Sequence, residues 1–309
     1  MLASIFSKSR PINYVLIGTA LILFYALYLL KDTTWVNSPI TIAQKAGILV
    51  LLGSSMFLTG FITLKNTLTK TNTYGLLLFL MFLVLFHTTL GNNNIIIANF
   101  FLLLALRRLI SLQSLITPKE KIFDASFWIL AATIFHFWSI LYLVLVFVSI
   151  VFHVSRDYRN WLIPVIAFFT VSIIYFMVGL MVGHGFFNHV QEQLAVSFDF
   201  TYFENIYQNI ALALFAAIAV LFVVPYVFSI NTKPLNLQSS HKKILFSFFI
   251  GTGIYVLSAH KNNSFLVFTF APLAIMGANY IQSQPNKWIR EAVVIGITAI
   301  AIAIFLLQL

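Results

Sequence analysis

Asp32 is the residue on which any chemistry in this chain would turn. It closes the first apolar run, beside Lys31 and ahead of Trp35. A carboxylate there can act as a general base, or can hold the divalent cation that a phosphate or pyrophosphate substrate needs. The plain alternative is an interface charge that snorkels and pairs with Lys31. Lys261 and its neighbour His260 could clamp a phosphate, the lysine as a point charge, or could be ordinary loop residues. His189 and Glu192 stand three apart, so a helix would put them on one face as an acid/base or metal pair, with His184 as the only further ligand in reach. Asp199 and Glu204 lie in the same segment, 184–208, where Phe186, Phe187, Phe198, Phe200, Tyr202 and Phe203 mix with polar groups. That mixture suits an anchoring surface at the membrane interface, or a lid over a groove for a lipid substrate. His136 interrupts an apolar run, where a neutral imidazole bonded to a carbonyl is the usual outcome and a functional buried group is the sharper one.

The elements that must position these groups are membrane helices. Of 309 residues, 61% are hydrophobic and 8% charged, against roughly 25% charged in a soluble domain. Apolar runs fall at about 13–30, 46–64, 73–90, 95–110, 123–153, 161–182, 207–230, 244–259, 265–282 and 290–309. Most are near the ~20 residues needed to cross a hydrocarbon core of ~30 Å. Short connections join them, so residues 1–309 read as a single all-α transmembrane domain of about ten or eleven helical segments. Membrane lipids are then its first partners. The net charge of +10 follows from Lys and Arg enrichment in cytoplasmic loops and does not call for nucleic acid. The absence of Cys removes disulfide and thiolate chemistry.

Run 123–153 decides the topology. As a hairpin, it puts Lys8, Arg10, Lys65, Lys70, Arg107, Arg108, Lys119, Lys121, Arg156, Arg159, Lys233, Lys242, Lys243, Lys287 and Arg290 on one side, leaving Lys31, Lys45 and Lys261 on the other. As a single crossing, it splits the cations about evenly, against the positive-inside rule. The hairpin is therefore expected, turning near residues 136–139, with legs of about 14 residues or roughly 21 Å, too short for a full crossing and so re-entrant or buried among other helices. The N-terminus is cytoplasmic and the C-terminus external on this reading. Asp32, Glu192, Asp199 and Glu204 face outward, while Glu120, Asp124, Asp157 and Glu291 are cytoplasmic loop charges.

No Asp, Glu, Lys or Arg falls at the centre of an apolar run, which disfavours ion-coupled transport. No Walker, dinucleotide or His-Glu-x-x-His motif occurs, which disfavours a nucleotide-driven subunit and a zinc protease.

Two stretches resemble the polytopic C-type (GT-C) glycosyltransferases, which use polyprenyl-phosphate-linked sugars at the external face. One runs from Arg107-Arg108 through Lys119-Glu120-Lys121 into the divided segment Phe127 to Trp138 and its return to Phe152. The other is His260-Lys261-Asn262-Asn263-Ser264 followed by the apolar Phe265 to Leu273 with its early Pro272. The resemblance implies a GT-C-like inner-membrane fold binding a polyprenyl-phosphate-linked lipid, with Asp32 catalytic, Lys261 and His260 on the phosphate, and His189, Glu192, Asp199 and Glu204 in a lid or groove. Those enzymes carry a long first external loop with one or more acids. Here the loop is about fourteen residues with Asp32 as its sole acid, so either Asp32 acts alone or the scaffold has lost catalysis. A scaffold subunit of a larger cell-envelope complex, with protein partners, is the competing expectation, and a lipid or solute transporter the third. Through its opening Phe6-Ser7-Lys8-Ser9-Arg10-Pro11-Ile12-Asn13, the whole chain resembles an uncharacterised family of Bacteroidota membrane proteins.

Overall fold

Hydrocarbon offers no hydrogen-bond partner, so a chain this apolar satisfies its backbone within helices. The structure is a computed structural model describing residues 2–31, 34–182, 195–196, 206–259 and 261–308. Within them the chain forms α1 (Leu2–Phe6), α2 (Pro11–Leu30), α3 (Pro39–Lys65), α4 (Tyr74–Leu85), α5 (Thr88–Gly91), α6 (Asn93–Ser111), α7 (Pro118–Phe135), α8 (Leu143–His153), α9 (Arg159–Val182), α10 (Ile206–Ile230), α11 (Leu235–Leu257), α12 (Val267–Ser283) and α13 (Lys287–Gln308). Short 3₁₀ turns precede α3, α8 and α12 and follow α6. Seven helices are long and apolar enough to cross a membrane, two more apolar helices are shorter, and α7 and α11 complete eleven legs among the described residues. The protein is a polytopic, all-helical membrane protein.

The legs alternate between two ends. Glu291, in the first turns of α13, accepts hydrogen bonds from the backbone N–H groups of Ala3 and Ser4 at 3.0 and 3.2 Å. By sequence Glu291 reads as an ordinary loop charge. It is a buried carboxylate that satisfies the start of α1, where free N–H groups favour an anion. Tyr74 Oη donates to Ala3 O at 2.7 Å, so α1, α4 and α13 meet at one end, the basic face. At the other end the Lys31 ammonium donates to Gln308 O at 2.8 Å, joining the ends of α2 and α13.

The hairpin is real and its legs are longer than expected. Lys119 at the start of α7 pairs with Asp157, just before α9, at 3.2 Å, so both ends of the segment lie on the basic face. The Asp157 carboxyl is held below its ordinary pKa by the Arg159 backbone N–H and by Lys119. It therefore stays ionised at neutral pH, and the pair is lost only as the pH falls through that depressed value. Helix α7 begins at Pro118, whose fixed φ suits a first turn, and its 18 residues span about 27 Å. The return combines a six-residue 3₁₀ turn with the 11 residues of α8, about 28 Å. The legs of about 14 residues read from the sequence were too short because the apolar run excludes the polar first turn, 118–122, which is already helical.

At the centre, every residue of α4 is buried, and so is nearly all of α12, as expected of a helix apolar on all sides. Phe82 and Phe86 meet Phe215 edge-on at 5.3 and 5.2 Å between centroids, and Phe86 stacks on Phe270 at 5.8 Å. Helices α11 and α12 approach closely at Gly251, where an added Cβ would stand 2.9 Å from Phe268 O. Small residues let membrane helices close this far. Gly251→Ala is expected to destabilise the protein by about 1–3 kcal/mol through overpacking. Gly296→Ala, where a Cβ meets nothing within 4 Å, should leave it unchanged. Thermal midpoints of the purified variants in detergent measure the difference.

Candidate functional site

The chain turns at His136 because that residue leaves the helix for an extended conformation (φ −148°, ψ 108°). Its Nε2 lies 3.0 Å from Ser258 Oγ at the end of α11, and its ring stacks against Phe265 and Phe268 at 4.9 and 5.5 Å. Ser258 also donates to Ile254 O at 2.6 Å and forms an isolated bridge with Val196. The apex of the hairpin, the end of α11 and a piece of segment 184–208 thus converge at the end opposite the basic face. Lys261 follows closely and is buried, 3% exposed, which sets it apart from a free loop lysine.

Around this point the polar groups are concentrated and incompletely used. Asn262 Oδ1 accepts from Ser264 N at 3.2 Å and opens the turn before α12. Asn92 Oδ1 accepts from Ile95 N at 3.4 Å and caps α6. Asn263 Nδ2 reaches Gln208 O on α10 at 3.1 Å. Among the described residues, most of the buried side-chain atoms with no hydrogen-bond partner lie at this end, Asn263 Oδ1, Asn93 Oδ1, His87 Nδ1, Trp138 Nε1, Ser139 Oγ and Tyr255 Oη among them, at the termini of α4, α6, α11 and α12 or at the hairpin turn. Asn13 Oδ1, Ser55 Oγ and Asn160 Oδ1 are unpartnered elsewhere in the bundle. His87, between α4 and α5, is pushed below its ordinary pKa chiefly by burial. An unpaired buried polar atom costs roughly 1–3 kcal/mol, so a cluster of them is a place where water or a polar ligand is gained cheaply.

Of the site residues expected from sequence, Lys261 lies in this cluster. Asp32, His189, Glu192, Asp199, Glu204, His184 and His260 fall outside the described residues. The four described carboxylates, Glu120, Asp124, Asp157 and Glu291, all sit at the basic face, where Asp124 pairs with Arg108 at 2.8 Å. No group of three or more metal-ligating His, Asp or Glu side chains occurs among the described residues. A divalent cation prefers carboxylate oxygen, and none of the described carboxylates lies at the polar end. Sequence reasoning missed Ser258 and Tyr255, since single hydroxyls inside an apolar run carry no signal. The run Asn262-Asn263-Ser264 did stand out.

The basic face holds a second cluster that the sequence hid. Lys243 is fully buried in α11, because that helix starts at Leu235 and not at the apolar residue 244. Its ammonium donates to Leu109 O at 2.6 Å and approaches His153 Nε2 at 3.1 Å. Lys121 donates to Ser111 O at 2.9 Å. Two lysines from neighbouring helices therefore satisfy the last carbonyls of α6, the negative end of its dipole. Lys243 is a structural cap. Nearby, Tyr226 Oη lies 2.7 Å from His241 Nδ1. Lys233, in the turn between α10 and α11, is lowered in pKa by burial first and by Lys70 second.

A family model described as a family of unknown function, DUF6427, matches residues 1–309. No curated protein and no solved structure matches the chain.

Replacing His153 with Leu should cost about 2–3 kcal/mol, because the buried Lys243 ammonium loses an acceptor. Lys243→Met added to His153→Leu should restore much of that loss, since it removes the uncompensated charge. A double-mutant cycle on thermal stability reads both terms, and additive losses would rule out the coupling.

Proposed function

The chain belongs to the DUF6427 family, whose function is unknown, and we propose that it binds a polyprenyl-phosphate-linked substrate at the end opposite its basic face. What supports this most is the layer of buried, unpartnered polar atoms around the His136 and Ser258 contact. An otherwise apolar bundle gains nothing from such a layer unless a polar molecule completes it. In this reading Lys261 holds the lipid phosphate, with His260 beside it, and segment 184–208, which touches Ser258 through Val196, covers the groove. In the catalytic version, which rests on the GT-C resemblance, Asp32 is the base that accepts a proton from the attacking hydroxyl as the sugar leaves the phosphate.

The same reading puts the protein in a bacterial inner membrane with the basic face and N-terminus cytoplasmic, and α13 ending outside. Desolvation and translocation both favour retaining Lys and Arg inside. The chain has no Cys, so single introduced cysteines report sidedness cleanly. Glu120→Cys and Arg156→Cys should both react with a membrane-impermeant maleimide only from the cytoplasm, and Val196→Cys only from outside. Labelling of residues 120 and 156 from different sides would overturn the hairpin topology and the placement of the site with it.

Transfer is tested by incubating the purified chain with a polyprenyl-phosphate sugar and an acceptor hydroxyl. Asp32→Asn should reduce turnover by about 10²-fold or more while leaving lipid binding intact, and Lys261→Gln should weaken binding. Unchanged transfer in Asp32→Asn would exclude the catalytic version. Unchanged binding in Lys261→Gln would exclude the phosphate assignment.

A scaffolding role has its own support. Helices α9 and α10 expose Phe168, Phe169, Phe176, Met177, Val220 and Phe228 on their outer faces, enough apolar surface for partner helices as well as for lipid. Retention of a stoichiometric partner in mild detergent, with no lipid-linked substrate bound, would favour it.

A further inference from the structure

Helices α3 and α6 lie side by side, and their seam carries two features that the polar-end reading does not use. At the basic face a cavity of about 530 Å³ opens between the end of α3, the end of α6 and the start of α7. Lys65, Arg107, Arg108 and Lys121 all line it, and among the described residues no carboxylate does. Arg108 is paired with Asp124. Lys65 and Arg107 have an aromatic ring in place of an acid: the Lys65 ammonium stands 5.1 Å and the Arg107 guanidinium 4.9 Å from the centroid of Phe61. Cations sorted to the cytoplasmic side by topology alone can splay into solution, where their repulsion is screened. Here three helices turn them toward one space, and an anion in it would lower the energy of each.

Two further observations mark this cavity. Among the described residues, the non-glycine positions with positive φ are Thr67 (50°), Leu115 (54°) and Thr117 (43°). Thr67 lines the cavity, and the other two flank Ile116, which also lines it. Left-handed backbone is costly for branched residues and gathers where a ligand is clamped. Above the cavity, along the same seam, an apolar groove of about 450 Å³ is lined by Val50, Gly53, Phe57, Leu58, Phe100 and Leu104. Phe57 stacks on Phe61 at 6.4 Å, so cavity and groove share a wall. From Phe61 back to Val50 the helix rises about 16 Å, close to half of a ~30 Å hydrocarbon core.

We propose that the α3–α6 seam is a binding site for one leaflet lipid with a net-anionic phosphate head group. The phosphate lies among Lys65, Arg107 and Lys121, and the hydrocarbon tail lies in the groove beside Phe57 and Phe100. Arg107 supplies a planar fork that matches two phosphate oxygens, and Lys65 a point charge. Lys121 is held in place by Ser111 O and by Ser114 Oγ at 2.7 Å, so it presents its charge without freezing further rotamers. The tail makes the site selective for a membrane lipid over a soluble phosphate. This assignment does not depend on the function proposed for the opposite end, and its test uses different residues.

The test measures lipid binding to the purified full-length chain in detergent, by native mass spectrometry or thermal shift. The probes are phosphatidylglycerol, phosphatidylcholine and inorganic phosphate. Phosphatidylglycerol should bind the wild type at least about tenfold more tightly than phosphatidylcholine, and Lys65→Gln with Arg107→Gln should remove about a tenfold preference or more. Lys8→Gln with Lys242→Gln removes the same charge elsewhere on the basic face and should change binding less than about twofold. Gly53→Leu, which fills the groove at a position with room for a Cβ, should weaken lipid binding while leaving the thermal midpoint of the lipid-free protein in place. Equal losses in the two charge-removing pairs would mean general surface attraction and would overturn the site. Inorganic phosphate matching the lipid's effect, with Gly53→Leu silent, would overturn the lipid assignment and leave a soluble phosphate as the ligand.

Discussion

Every turn in this chain has to find its hydrogen-bond partners inside the protein or at the two polar ends, because the hydrocarbon between supplies none. The hairpin from α7 to α8 shows what that demands. Its base is fixed at the basic face by Lys119 and Asp157, and its apex reaches the opposite end, where His136 meets Ser258. Between them, Tyr142 Oη on the return leg contacts Ser247 Oγ at 3.2 Å and donates to Phe268 O at 3.2 Å. That one hydroxyl ties the hairpin to α11 and α12 at the depth where Gly251 lets those helices touch. The polar end and the central helix packing are therefore parts of one arrangement.

The two ends solve the problem of helix termini differently. At the basic face, charge does the work: Glu291 takes the free N–H groups of α1, and Lys121 and Lys243 take the free carbonyls of α6. Each pairs a formal charge with the helix end of opposite partial charge, the arrangement a dipole rewards. At the other end Lys31 takes the last carbonyl of α13, but neutral amides and hydroxyls cap the remaining helix ends, and several of their atoms are left over. The cap made by the fully buried Lys243 is committed once made, whereas Lys121 lines the seam cavity with one of its three N–H groups still to place. A neutral, half-used polar layer can still take a ligand, which is why the functional reading rests there and the basic-face lysine Lys243 is read as structure.

The basic face nonetheless keeps charge that the helix ends do not consume. Lys65 and Arg107 rest on Phe61 with no acid among the described residues, over a seam whose apolar continuation is exposed at Val50 and Phe57. A cation over an aromatic ring gains about 0.5–2 kcal/mol, less than a phosphate contact between desolvated charges would add. The seam is thus organised for an amphiphile while remaining stable without one.

The sequence by itself determined that the chain is a bundle of membrane helices, that its cations gather on one side, and that residues 123–153 fold back. These follow from how much it costs to place apolar and charged groups in water or hydrocarbon, a property that can be summed residue by residue along the chain. Only the tertiary structure decided the length of the hairpin legs, the role of Lys243 and Glu291 as caps, and the meeting of His136, Ser258, Asn263 and Lys261 at one end. Helices such as α4, apolar on every side, carry no pattern that fixes their rotation. Which side chains converge is then set by close contacts such as Gly251 on Phe268 and Gly277 beneath Phe222. Asp32 remains the single acid in the loop between the first two long helices by sequence, and the polar end it would serve was legible only once the helices were packed.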